Sequence, residues 1–238
     1  MNLDVKSAPL YPIVNVAESG AAAIERATAL AMALAQAGLP LVQLRAKTLG
    51  AGEFTRLACT LVDEFERLGC RLIINDRADV ALAAGASGLH LGDEDLPMAA
   101  ARALLGAGCL IGYSTHSVAE VVAAGGPPRL VTAGAAVDRS SIRQLDYLGF
   151  GPVFESPTKA GVRTARGLTM LEEVCRSSRL PVVAIGGITL GTAAACWRAG
   201  AAGVAVISEL ELAFAAGRLG DLLQRYRELA KAHGPVSL

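Results

Sequence analysis

The chain has 238 residues, just over half of them apolar, and balances 22 basic against 22 acidic side chains. No net field favours a nucleic acid or a membrane surface, so any anion site must be built locally. The length suits one large domain, near the roughly 250 residues of a barrel of alternating strands and helices, and no apolar run reaches the about 18 residues needed to span a bilayer.

The predicted elements alternate along the chain. Strands at 10–16, 41–46, 71–76, 88–92, 109–115, 147–154, 181–188 and 203–210 are short and rich in Val, Ile and Leu, and an amphipathic stretch follows each. Continuous apolar strands between helices imply a parallel sheet covered by helices. Eight such units predict an α/β fold, a single (β/α)8 TIM barrel formed by residues 1–238 as one domain. A doubly wound open sheet is the alternative, but strand 1 runs into NVAESGAAA, which lacks the glycine-rich phosphate fingerprint of that fold. Residues 126–144 do not fit the count and read as an insertion between helix 5 and strand 6, in which RLVTAG could be a ninth strand.

The N-terminus, MNLDVKSAPLYPIV, lacks the basic-then-apolar order of a secretory signal. The five cysteines contain no C-x-x-C pair and are odd in number, which argues against a disulfide framework or a zinc site. They read as small buried hydrophobes in a reducing compartment, and the expected location is cytoplasmic.

In such a barrel, ligands bind at the C-terminal ends of the strands. Strand 2 ends in Gln43, Arg45 and Lys47 at alternate positions, which period two places on one side. Three polar side chains there suit an anion; ion pairing with a neighbouring strand, through Asp76 for example, is the plainer reading. Strand 3 ends in Asn75 and Asp76, and strand 4 leads into His90, Asp93, Glu94 and Asp95. Carboxylates from adjacent strand ends suit Mg2+ when phosphates supply further oxygens. Asp93 and Glu94 also suit helix capping, and His90 reads as a satisfied core histidine. Strand 5 ends in Ser114, Thr115 and His116, with Thr115 or Ser117 as a cap and His116 as a positional residue. After strand 6 comes ESPTKAG, carrying Ser156, Thr158 and Lys159. Strand 7 ends in Gly186-Gly187 and strand 8 in Ile207-Ser208, where loops and helix N-termini commonly hold a phosphate. Two anion sites result. Arg45, Lys47 and Lys159 with a carboxylate pair suit a diphosphate and Mg2+, while glycines and hydroxyls suit a monophosphate. Together they point to the joining of two phosphorylated small molecules with diphosphate as leaving group.

QLRAK, NDRADVALAAGASGLHLGDEDLP, GYSTH, GPVFESPTKAG, AIGGI and GVAVIS occur in this order. The ordered set, from strand 2 to strand 8, resembles the thiamine-phosphate synthase family. The resemblance implies Mg2+-dependent coupling of 4-amino-2-methyl-5-hydroxymethylpyrimidine diphosphate to a thiazole phosphate, through a dissociative pyrimidine-methylene cation. It implies Asp76 and Asp95 as metal ligands and Arg45, Lys47, Asn75 and Lys159 as diphosphate contacts. It implies Gln43 as a pyrimidine contact and Ser114 as a residue beside the reacting methylene. Ser156 and Thr158, with the backbone at Gly187, Ile207 and Ser208, would cradle the thiazole phosphate. The expected catalytic set is Ser114, Lys159, Arg45 and Lys47. The implied partners are small molecules, with no nucleic acid and no membrane, and a homodimer is among the assemblies the resemblance allows. Departures include Ala46, where an acid is common, and Asp93, where Gln is frequent. Two alternatives remain: a thiazole tautomerase of the same fold, and a non-catalytic phosphate-ligand-binding barrel.

Overall fold

The structure is a computed structural model and describes residues 8–124, 144–155 and 164–235. Eight parallel strands close into a barrel in chain order. They are β1 (Leu10–Asn15), β2 (Leu41–Arg45), β3 (Arg71–Asn75), β4 (Gly88–Leu91), β5 (Leu110–Thr115), β6 (Tyr147–Phe150), β7 (Val182–Ala184) and β8 (Gly203–Val206). Closure is direct: Leu10 of β1 lies in register with Val204 of β8. The open-sheet alternative is thereby excluded. The predicted strand 6 stops early, at Phe150, because Pro152 has no N–H to give to a ladder. Strand 7 ends at Ala184, before the two glycines, and strand 8 ends at Val206, with a helix beginning at Ser208. The predicted insertion lies outside the described residues, apart from Gln144, and so does the candidate ninth strand.

The helices α1 (Ala21–Gln36), α2 (Ala51–Arg67), α3 (Ala78–Ala84), α4 (Met98–Leu105), α5 (Val118–Ala124), α6 (Gly167–Ser177), α7 (Leu190–Arg198), α8 (Ser208–Ala215) and α9 (Leu219–His233) surround the sheet. Helix α2 shows why they pack. Phe54, Leu57, Ala58, Leu61 and Phe65 recur at helical spacing and are its buried residues. It ends where Gly69 takes φ 70°, with Gly69 N–H bonded to Glu66 O and Cys70 N–H to Phe65 O. That pair of bonds is the Schellman stop, which favours glycine. Among the described residues no helix is long and apolar enough to cross a membrane.

Strand residues divide between two apolar clusters, as a period of two requires. Val42, Leu44, Leu72, Ile74, Leu148 and Val204 belong to the large layer beneath the helices. Tyr11, Ile13, Leu41, Ile73, Leu110, Tyr147, Val183 and Ala205 form a separate, smaller cluster that fills the barrel. The same alternation brings Gln43 inward beside Leu41, which matters for the site above it.

Candidate active site

The C-terminal rim over β1 to β4 carries charge. Arg45 closes β2, and its Nη1 donates to Asn15 Oδ1 at 2.6 Å, at the end of β1. Asn15 was not singled out from the sequence; its register opposite Arg45 becomes visible only once β1 and β2 pair. Lys47 lies two residues beyond the strand, in a turn rather than on the strand face, and its Nζ stands 3.1 Å from Asp76 Oδ2. The ion pair considered as the plainer reading of Lys47 is therefore present. Its ammonium is still largely open, with 59% of the side chain exposed.

Asp76 follows β3 with φ 66°, the one non-glycine residue in left-handed backbone among the described residues. Asp tolerates that region better than most residues, and such conformations concentrate at functional sites. The turn is pinned by Asp76 N–H donating to His90 O at 2.8 Å. Asp95 Oδ2 accepts the Gly92 N–H at 2.7 Å, which closes a tight turn directly after β4. Burial raises the Asp95 carboxyl above its ordinary range, and the neighbouring Asp76 carboxylate pushes the same way; the Gly92 N–H and Lys47 pull against both. An Asp95 carboxyl whose charge is opposed by burial and by the neighbouring Asp76 suits a divalent cation beside the pair. Among the described residues no group of three or more His, Cys, Asp or Glu could hold a metal unaided. Two hard oxygen ligands with room for substrate phosphate is the usual provision for Mg2+. Asp93 and Glu94 do not cap α4 as expected; Pro97 precedes it instead. Asn75 is buried beside these groups, in register with His90.

The opposite side, over β6 to β8, is built from backbone. Gly186 and Gly187 take φ 97° and 62°, and a methyl on either would overlap the segment 152–155. That segment stays attached through Val153 N–H to Ile185 O and Phe154 N–H to Gly186 O. Ile207 precedes α8 and Ser208 is its first residue, so amide N–H groups of that first turn lack intrahelical acceptors. Ser156, Thr158 and Lys159 lie outside the described residues. The chain on either side is fixed nearby, with Arg166 N–H and Gly167 N–H donating to Pro152 O and Val153 O. Ser117, not Thr115, caps α5: its Oγ accepts the Glu120 N–H while Glu120 accepts the His116 N–H. His116 Nδ1 lies 2.6 Å from Gly151 O, to which it donates, in keeping with a positional role.

Below the rim lies a polar floor that sequence reading did not assemble. Gln43 Nε2 donates to Tyr11 Oη at 3.1 Å, and Tyr11 Oη is 2.6 Å from Tyr147 Oη. Tyr147 Oη is 3.1 Å from His90 Nδ1, and His90 Nε2 is 3.0 Å from Ser114 Oγ. His90 is thus satisfied at both nitrogens, as expected of it. Burial holds its imidazole down at about 4, against a smaller opposing pull from Asp76, and raises Tyr11 to about 12. All these groups are neutral near pH 7. The signal for the two tyrosines was their place on barrel strands, where a phenol buried in the interior needs a hydroxyl partner.

The arrangement can be set against known proteins. The family model described as thiamine monophosphate synthase matches residues 10–210. A thiamine-phosphate synthase of Albidiferax ferrireducens is 41% identical over 178 residues, covering 75% of this chain and 74% of that one. One from Syntrophomonas wolfei is 44% identical over 173 residues, covering 73% and 75%. The solved structure of a thiamine phosphate pyrophosphorylase from Pyrococcus furiosus superposes with a TM-score of 0.75 at 24% identity, covering 96% of this chain and 98% of that one, which establishes the likeness of fold. With the family model running from the first strand into α8, and relatives this similar over three quarters of their length, the chain belongs to the thiamine monophosphate synthase family.

Proposed function

We propose that this barrel is a transferase that couples 4-amino-2-methyl-5-hydroxymethylpyrimidine diphosphate to a thiazole phosphate, giving thiamine phosphate and diphosphate. Family membership and the relatives' names support the activity. The observation in the site that carries it is the juxtaposition of Asp76, Asp95 and Lys47 on the rim, with Lys47 3.1 Å from Asp76. A phosphate binder without chemistry or a tautomerase has no use for an opposed carboxylate pair beside an open ammonium.

Asp76 and Asp95 would hold Mg2+, which when bound supplies positive charge to the departing diphosphate. Arg45, Lys47 and Asn75 line the same side and would bind the diphosphate oxygens, with Lys159 closing from the loop after β6. Gln43 would meet the pyrimidine, and Ser114 would stand beside the methylene. The amides at Gly187, Ile207 and Ser208, with Ser156 and Thr158, would hold the thiazole phosphate. Loss of diphosphate leaves a pyrimidine-methylene cation, which the thiazole nitrogen attacks. Such a step asks for neutralised leaving-group charge and exclusion of water, and for no strong base. The site matches that demand: its cations and carboxylates sit on the rim and its floor is neutral. We read residues 1–238 as one domain working in the cytoplasm, where five free cysteines are at ease, with a homodimer as its assembly.

The test is to mix the protein with both substrates and Mg2+ and to follow thiamine phosphate and diphosphate. Equal, EDTA-sensitive appearance of both products is expected. Their absence from folded protein would move the assignment to the tautomerase or the binder.

A further inference from the structure

The polar floor takes its direction from the Gln43 amide, whose Nε2 rather than Oε1 faces Tyr11. Gln43 has two N–H donors, each tyrosine and the serine has one, and a neutral imidazole has one donor and one acceptor. Gln43 donates to Tyr11 Oη. Among the described residues the other partner of Tyr11 Oη is Tyr147 Oη, and Tyr11 is 1% exposed. The Tyr11 proton therefore points to Tyr147, and the Tyr147 proton to His90 Nδ1. That leaves the His90 proton on Nε2, aimed at Ser114 Oγ, and the Ser114 proton unused.

We propose that Gln43, Tyr11, Tyr147, His90 and Ser114 form a one-way hydrogen-bond relay across the barrel, in which His90, as the Nε2–H tautomer, is the positioning residue that makes Ser114 a donor while Gln43 presents its carbonyl. The relay joins five of the eight strands. Its geometry is enforced by two glycines. A methyl on Gly112 would overlap the Tyr147 ring, and one on Gly149 would press on the His90 ring. The His90 and Tyr147 rings stack with centroids 5.5 Å apart and planes 28° apart, which restrains the rotation of both rings. Burial keeps both phenols protonated, so neither breaks the relay by ionising.

The consequence for ligand choice rests on the reaction proposed above. A ring amino group is a donor and suits the Gln43 carbonyl. A departing diphosphate oxygen is an acceptor and suits the Ser114 hydroxyl. Reversed end to end, the same five groups would offer the opposite pattern and mismatch both.

Ring-labelled histidine and 15N NMR of the ligand-free protein test the direction without any substrate. The chain has three histidines, and His90→Gln assigns the signal. A bare Nδ1 and a protonated Nε2 at neutral pH are expected; a protonated Nδ1 overturns the relay. Tyr147→Phe cuts it at the centre. There kcat should fall about tenfold, the loss of one positioning hydrogen bond, with KM for both substrates within about twofold. His90→Gln, which keeps an amide donor for Ser114, should lose less than Tyr147→Phe. Unchanged kcat in Tyr147→Phe, or a loss carried by KM, would refute the positioning role. Because the tautomer is read in free protein, its presence without thiamine phosphate formation would sink the reaction and keep the relay.

Discussion

The rim over β2 to β4 and the floor a few ångströms beneath it are made of polar groups in opposite states. On the rim, Lys47 is mostly open to solvent and the Asp76 carboxylate opposes the charge of Asp95. On the floor, Tyr11 and Gln43 are almost wholly buried, and every contact is between neutral partners. The rim charges stay partly open to solvent, while the floor groups are joined to one another within the barrel. Substitutions on the rim should therefore damage function with little effect on folding, and substitutions beneath it should damage both.

The largest effect is expected at Asp76. Asp76→Asn keeps a residue that tolerates φ 66° and removes the charge. Turnover should drop by about 10²–10³-fold, the loss typical of removing one preorganised electrostatic group. The denaturant midpoint should hold or rise slightly, since Asp95 loses its opponent. Wild-type turnover at ordinary Mg2+ would remove Asp76 from the site and dissolve the distinction between the two layers.

The second effect belongs to the floor and appears in pH. His90 sits near 4 in the folded chain against 6.5 for a free histidine, because burial outweighs the attraction of Asp76. Between those values the unfolded chain binds the extra proton and the folded chain does not. The stability from this group is thus fully present above about pH 6.5 and is lost as pH falls toward 4, by about 3 kcal/mol in all. His90→Gln lacks this titration, so its stability curve and that of the native protein should converge by about that amount on acidification. Parallel curves from urea melts would show that the imidazole protonates freely where it stands.

How much of this could be read from the chain depends on what kind of information each part needs. The eight strands were legible because burial on both faces leaves unbroken apolar runs, as in RLIIN of β3. Their ends were not, because glycine and proline serve strand and loop alike, and the predicted β6, β7 and β8 all run too long. Arg45 and Asp76 were legible because they interrupt apolar sequence at strand ends, whereas Asp95 was picked out of its acidic run by the family resemblance. Asp93 and Glu94 misled, since an acidic run before a helix looks like a cap. The floor escaped because it is a product of closure: Tyr11 and Tyr147 are 136 residues apart and meet only when β1 and β6 face each other across the interior.

A third, smaller effect separates packing from chemistry within the floor. Gly112→Ala would place a methyl where the Tyr147 ring lies. Overpacking of this kind should cost about 2 kcal/mol, read as a lower urea midpoint, and should lower kcat because the displaced ring leaves His90. Loss of stability with full turnover would mean that the ring fills space and does not position anything.

The smallest expected change in stability is the one that sharpens the contrast most. Lys47→Gln removes the ammonium 3.1 Å from Asp76, yet 59% of the Lys47 side chain is exposed. An ion pair so open to water is screened, and its removal should shift stability by less than about 0.5 kcal/mol. Some of even that is offset, because the glutamine that replaces it has no partner to hold and keeps more side-chain freedom. Catalysis should respond differently. A desolvated diphosphate would lose one of its few cations, and kcat/KM should fall by about tenfold or more, recovering in part at high Mg2+. A variant with native stability and impaired turnover fits a rim that waits for its ligand. A variant that loses several kcal/mol while retaining turnover would mean that Lys47 serves the fold by restraining Asp76, and the ion pair, rather than the anion site, would be the right account of that residue.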